Sequence, residues 1–122
     1  MRDLTIAGVQ FHSDYANKRS NLKRIEKLCE QAKNKGIDII LFPELCISGF
    51  IIDAKIPEIA ETVPGPSTKL LEKIARDFKI VISAGLIEIY NGLCFNNMVL
   101  VGPEGFIGGY RKVHLPFVEY PG

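Results

Sequence analysis

The chain lacks the marks of several large protein classes. Cysteine is scarce and unpatterned: Cys29, Cys46 and Cys94 are odd in number, far apart and without any CxxC spacing. That excludes a disulfide framework, argues against a zinc site and leaves reduced thiols as the default. No apolar run exceeds a few residues, far short of a membrane span. Met1-Arg2-Asp3 leads straight into an apolar alternation, without the cationic and long apolar regions of a secretory signal. A soluble, cytoplasmic protein is the expectation. Charge of one sign is also lacking, since 15 basic and 14 acidic side chains among 122 residues nearly cancel. No broad positive field is present to draw in nucleic acid or an anionic membrane. The first β-α turn carries neither a GxGxxG nor a P-loop, so a nucleotide cofactor is not expected. His12 and His114 lack the paired spacing of a zinc site, and no metal is expected either. There is no repeat, no low-complexity tract and no internal linker, which makes residues 1–122 part of one domain.

What is present is a 47% hydrophobic chain with clear periodicities. Leu4 to Phe11 alternates as a strand, and Leu22, Ile25, Leu28, Cys29 and Ala32 recur at helical spacing until Gly36 stops the helix. Ile37 to Phe42 is almost wholly apolar, as expected of a strand buried on both faces of a parallel sheet. An irregular stretch reaches Val63. Gly65-Pro66-Ser67-Thr68 then starts a second helix, with Leu70, Leu71, Ile74, Ala75 and Phe78 on its apolar face. Ile80 to Ile89 and Phe95 to Val101 are strands joined by Asn91-Gly92, a type I′ hairpin signal that demands positive φ at both residues. Gly102-Pro103-Glu104-Gly105 turns the chain into a last strand from Phe106 to about Val113. The fold class is α/β, a mixed sheet with both helices on one face. Strands such as Val81 to Ile87 are apolar at both parities, so the other face would be a large apolar patch that calls for a partner layer.

Two positions stand out chemically. Pro43 cannot donate to a ladder, so it ends its strand and leaves Glu44 at the carboxyl rim of the sheet, where open α/β sheets place ligand sites. Flanked by Phe42, Leu45 and Ile47, Glu44 is expected to be partly desolvated, with its carboxyl pKa raised toward the range of general acid-base work. The plainer reading is a loop glutamate that caps a backbone N–H or pairs with a surface lysine. In Tyr110-Arg111-Lys112-Val113-His114, strand parity sends Tyr110, Lys112 and His114 to one face and Arg111 and Val113 to the other. The plainer reading here is a pair of solvated edge-strand cations.

Taken together, Pro43-Glu44-Leu45-Cys46-Ile47-Ser48-Gly49-Phe50 and Tyr110-Arg111-Lys112-Val113-His114-Leu115-Pro116 resemble the first two signature blocks of the nitrilase family of carbon-nitrogen hydrolases. Phe95-Asn96-Asn97 followed by Gly102-Pro103-Glu104-Gly105 is similar to that family's aromatic-Asn hairpin and turn. The resemblance runs through nearly the whole chain in order. It implies half of an αββα sandwich, the N-terminal part of a single carbon-nitrogen hydrolase domain, and an enzyme of the amidase or nitrilase type. It also implies a Glu-Lys-Cys triad acting on a small-molecule amide or nitrile, with homo-oligomers formed through sheet or helix faces. Glu44 would be the general base and acid, and Lys112 the stabiliser of the oxyanion.

The thioester-forming cysteine of that family lies a few tens of residues past the lysine, whereas this chain stops ten residues after Lys112. Cys29 and Cys94 read as core-filling thiols. Cys46 lies two residues from Glu44 along the same segment, not on the separate element that the triad needs. Glu119 is a possible second, supporting glutamate. His114 and Asn96 are further supporting candidates, with Asn96 read as structural and buried beside the hairpin. The competing expectation is a catalytically silent α/β module that uses its bare sheet face as an interaction surface.

Overall fold

Asn17, Gly36, Pro43, Gly65 and Asn91-Gly92 punctuate the chain, and most of the segments between them take the forms that their periodicity predicts. The computed structural model describes residues 2–51 and 53–115. Strand β1 (Ile6–Gly8) is followed by helix α1 (Lys18–Asn34), strand β2 (Ile39–Leu41), the short helix α2 (Ile56–Ile59) and helix α3 (Pro66–Phe78). Strands β3 (Val81–Tyr90), β4 (Leu93–Gly102) and β5 (Gly105–Arg111) complete the described fold.

Helix α1 begins where the Asn17 side chain accepts a hydrogen bond from the Ser20 N–H at 3.0 Å, satisfying one of the donors that a helix start leaves open. It buries Leu22, Ile25, Cys29 and Ala32 along one stripe. Helix α3 starts with Pro66 in its first turn, where no N–H is needed. Its open donors meet a carboxylate. Glu61 accepts from the Ser67 N–H at 2.6 Å and from the Ser67 hydroxyl at 2.7 Å, and pairs with Lys18 Nζ at 2.9 Å. A negative group at a helix N-terminus is favoured by the helix dipole.

The strands form one sheet in the order β1-β2-β3-β4-β5. The pairs β1·β2 and β2·β3 are parallel, while β3·β4 and β4·β5 are antiparallel. Both parallel crossovers run in the same direction along the sheet, and right-handedness then puts α1 and α3 on the same side. Ile40, Ile82, Ala84, Leu86, Val99 and Val101 pack there against Leu22, Ile25, Cys29, Leu71, Ile74 and Ala75. The hairpin between β3 and β4 has Tyr90 opposite Leu93, with φ of +50° at Asn91 and +76° at Gly92, the left-handed pair that a type I′ turn requires.

The opposite face carries the alternate residues. Ile6, Leu41, Ile107 and Tyr110 are all exposed on it, the last two at 59% and 63%. A contiguous apolar face of this kind is rare on a soluble monomer.

Three expectations need correction. The first strand pairs only over Ile6–Gly8, not from Leu4 to Phe11, because its single neighbour β2 is itself only three residues long. Cys94 is exposed and not in the core, because its register opposite Ile89 puts it near the hairpin tip on the face away from the helices. His114 does not continue the last strand: pairing stops at Arg111, the chain bends at Val113 and His114, and His114 is exposed. One element escaped the sequence pattern altogether, the four-residue α2, which is too short to show a period.

Candidate active site

Glu44 owes its position to two local features. Pro43 ends β2 after the Phe42 N–H has donated to Ser83 O, and the next turn is tight, with Leu45 at φ +54°, a conformation uncommon for a bulky residue. The turn then crosses β3 where β3 has no side chain. A Cβ on Gly85 would lie 2.3 Å from Leu45 N and 3.0 Å from Glu44 Cα, so only glycine admits this path. The Ile47 N–H donates to Gly85 O at 3.0 Å and ties the crossing down.

From there the Glu44 carboxylate reaches the bare side of the sheet. Its Oε1 accepts from Lys112 Nζ at 2.8 Å and from Asn96 Nδ2 at 2.5 Å. Lys112 and Asn96 are joined in turn by a backbone bond of 2.8 Å from the Lys112 N–H to Asn96 O. Three sequence segments thus converge on one carboxylate oxygen. The expectation of a raised Glu44 pKa is overturned: the hydrogen bond from Lys112, reinforced by Asn96, lowers it, and partial burial opposes this less strongly. Glu44 remains 42% exposed, which limits the desolvation that would have raised it.

Against the expectation of a structural, buried residue, Asn96 is half-buried and touches the carboxylate directly. His114 sits past the strand end as an exposed residue. Glu119 lies outside the described residues.

Cys46 points the other way. It belongs to the helix-side core, and its sulfur accepts from the Gly85 N–H at 3.4 Å. Burial pushes its thiol up to about 11, so it is protonated at neutral pH and poorly disposed to act as a nucleophile. Burial, with Glu26 nearby, likewise pushes Cys29 up to about 12.

A second ionic cluster was not anticipated. Glu88, read only as part of a strand, is buried on the helix side of the sheet. Its Oε1 accepts from Arg111 Nε at 2.7 Å and from Asn97 Nδ2 at 3.0 Å, and its Oε2 accepts from Arg111 Nη2 at 3.0 Å. Arg111 is therefore not only an edge-strand cation: half in solvent, it is paired with a buried carboxylate. An acid at an otherwise apolar parity of β3 was the available signal.

A mixed sheet backed by two helices thus carries at one rim a glutamate from a strand end, hydrogen-bonded to a lysine at the end of a later hairpin strand. The chain belongs to the carbon-nitrogen hydrolase family, which it matches over residues 5–122. It is 36% identical over 117 residues to a nitrilase of Pyrococcus abyssi, a match that covers 93% of this chain and 45% of that protein. It is also 36% identical over 107 residues to an omega-amidase of Xenopus laevis, covering 86% of this chain and 38% of the relative. The chain thus spans less than half the length of these relatives. Its fold superposes on a CN-hydrolase superfamily protein from Xanthomonas campestris with a TM-score of 0.83 at 23% identity, covering 94% of this chain and 42% of that one. An N-terminal amidase crystallised with a Gln-Val peptide gives 0.80 at 24% identity, covering 93% and 28%.

Proposed function

We propose that this chain supplies the base and the oxyanion-stabilising cation of an enzyme that hydrolyses non-peptide carbon-nitrogen bonds in small amides or nitriles, and that the thiol nucleophile comes from outside residues 1–122. The observation that carries this reading is the bond from Lys112 Nζ to Glu44 Oε1. As a stability device the pair is weak, since exposed ion pairs contribute about 0–1 kcal/mol. Yet three segments and a glycine crossing are spent on assembling it. A lowered pKa leaves Glu44 as a carboxylate at neutral pH, the form a general base needs.

The chemistry follows from the groups. With an amide, Glu44 takes the proton of the incoming thiol as its sulfur bonds to the substrate carbonyl carbon, and Lys112 stabilises the negative oxygen of the tetrahedral adduct. Glu44 then returns the proton to the leaving amine as the carbon-nitrogen bond breaks. It next takes a proton from water as the water's oxygen attacks the thioester, and acid and thiol are released. The apolar side of the sheet would form one inner layer of an αββα sandwich, or pack against a second copy in a homo-oligomer. Three reduced thiols fit a cytoplasmic setting.

The test joins residues 1–122 to the remainder of the Pyrococcus abyssi nitrilase in place of its matching segment, with short amides and nitriles as substrates. The chimera should turn over, Glu44→Gln and Lys112→Met should each lower the rate by at least about 10²-fold, and the chain alone should be inactive. A folded chimera whose rate is indifferent to Glu44 would overturn the reading. In that case the exposed Ile6, Leu41, Ile107 and Tyr110 favour the second reading, a catalytically silent module that binds through its sheet face.

A further inference from the structure

Consecutive residues on a strand face opposite sides of a sheet but share a peptide bond, so whatever holds one holds the other. This applies twice near Glu44. Asn96 and Lys112 lie on its side, while the next residue of β4, Asn97, and the preceding residue of β5, Arg111, lie on the helix side and are register partners. Both helix-side residues donate to Glu88. Glu88 is 4% exposed, and its two oxygens are held by a bidentate guanidinium, the geometry that fixes orientation as well as distance. The Arg111 guanidinium is itself held in place, lying 4.2 Å from the centre of the Phe95 ring and 5.0 Å from that of Tyr90. Asn97 is equally confined: a Cβ on Gly109 would come within 2.7 Å of its Oδ1.

The location of this cluster matters because β5 ends there. Arg111 is the last strand residue, and among the described residues the backbone of Lys112 is tied to β4 by its N–H, which donates to Asn96 O. A lysine at a strand end has a long flexible side chain, and where its ammonium can reach depends on where its Cα is held.

We propose that Glu88 is a positioning residue for the Glu44-Lys112 pair, acting across the sheet: by clamping Arg111 and Asn97 it fixes the end of β5 against β4 and places Lys112 and Asn96 within hydrogen-bonding reach of Glu44. Its importance for turnover rests on the reading of Glu44 and Lys112 as the reacting pair. A displacement of about 1 Å at a reacting group can cost about 10²-fold in rate.

The discriminating experiment follows the Glu44 carboxyl by carbon-13 NMR titration in the chain itself, and so needs no turnover. Electrostatics and positioning predict opposite signs. Replacing Glu88 by glutamine removes a negative charge and releases Arg111, and through space both effects stabilise the Glu44 carboxylate and push its pKa further down. Loss of the clamp instead lets Lys112 and Asn96 drift from Glu44 and brings its pKa up toward the ordinary value. The expected result for Glu88→Gln is a rise, in the same direction as that given by Lys112→Met and smaller. Arg111→Lys keeps the charge but loses the planar fork, should give a rise as well, and serves if Glu88→Gln does not fold. An unchanged or lowered Glu44 pKa in either folded variant would overturn the role. A rise in these variants, together with a chimera whose rate is indifferent to Glu44, would leave the clamp standing and remove the catalytic reading.

Discussion

Gly85 lies directly beneath the peptide that joins Glu44 to Leu45, so closely that a Cβ there would sit 2.3 Å from Leu45 N. Backbone cannot give way as a flexible side chain can. Gly85→Ala should therefore lift the Pro43–Cys46 turn from β3, destabilise the chain by about 1–3 kcal/mol as overpacking does, and weaken the contact of Glu44 with Lys112. Urea unfolding reads the first effect. Titration of Glu44 reads the second as a rise in its pKa, and a variant with wild-type stability and an unshifted Glu44 would show that the turn does not depend on the glycine.

Acid should find the Glu88 clamp. Arg111, helped by Asn97, holds the Glu88 carboxyl below its ordinary value of 4.5. A depressed folded-state pKa contributes stability that is fully present above 4.5 and lost as pH falls through the folded value. Glu88→Gln should be less stable than the wild type at pH 7 by about 1–3 kcal/mol, the range for a buried hydrogen-bonded group that loses its partner. Arg111, half in solvent, can rehydrate, which holds the loss to that range. The gap should narrow below pH 4.5 as the wild type loses its own contribution. Denaturant unfolding from pH 7 to pH 3 measures it, and a gap that stays constant would refute the clamp's ionic character.

The hairpin at Asn91-Gly92 isolates a backbone effect. No atom lies within 4 Å of a Cβ built on Gly92, so Gly92→Ala meets no steric obstacle and only the positive φ is penalised. The expected loss is about 1–2 kcal/mol. Glu44 should titrate as before, because the strain is confined to the turn and leaves the pairing of Asn96 with Ile87 in place. A loss near zero would mean that the turn relaxes to another type.

The three thiols should react in a fixed order. Cys94 is exposed, whereas Cys46 and Cys29 are buried, with their pKa values pushed up to about 11 and about 12. With a neutral-pH thiol reagent, one equivalent should be consumed quickly and two only on unfolding. Cys94→Ser should abolish the fast phase. Fast labelling of Cys46 in the native chain would reopen it as a nucleophile.

What the sequence determined by itself is local. Pro43 had to end β2 and put Glu44 at the rim, Asn91-Gly92 had to make a two-residue turn, and strand parity had to send Arg111 and Lys112 to opposite faces. Each of these follows from covalent geometry within a few residues, and so did the apolar parity that left one sheet face bare. The tertiary structure decided which groups meet. Glu44 finds Asn96 and Lys112 across 52 and 68 residues, and Glu88 finds Arg111 across 23. Those meetings set the direction of the Glu44 pKa, turned Asn96 from a buried spectator into a ligand of the carboxylate, and made Arg111 an anchor. Cys94 ended in solvent because its parity in β4, the same as that of Asn96, turns it away from the face that the helices cover. Register between distant strands is fixed by the packing of the whole sheet, and no local pattern of residues encodes it.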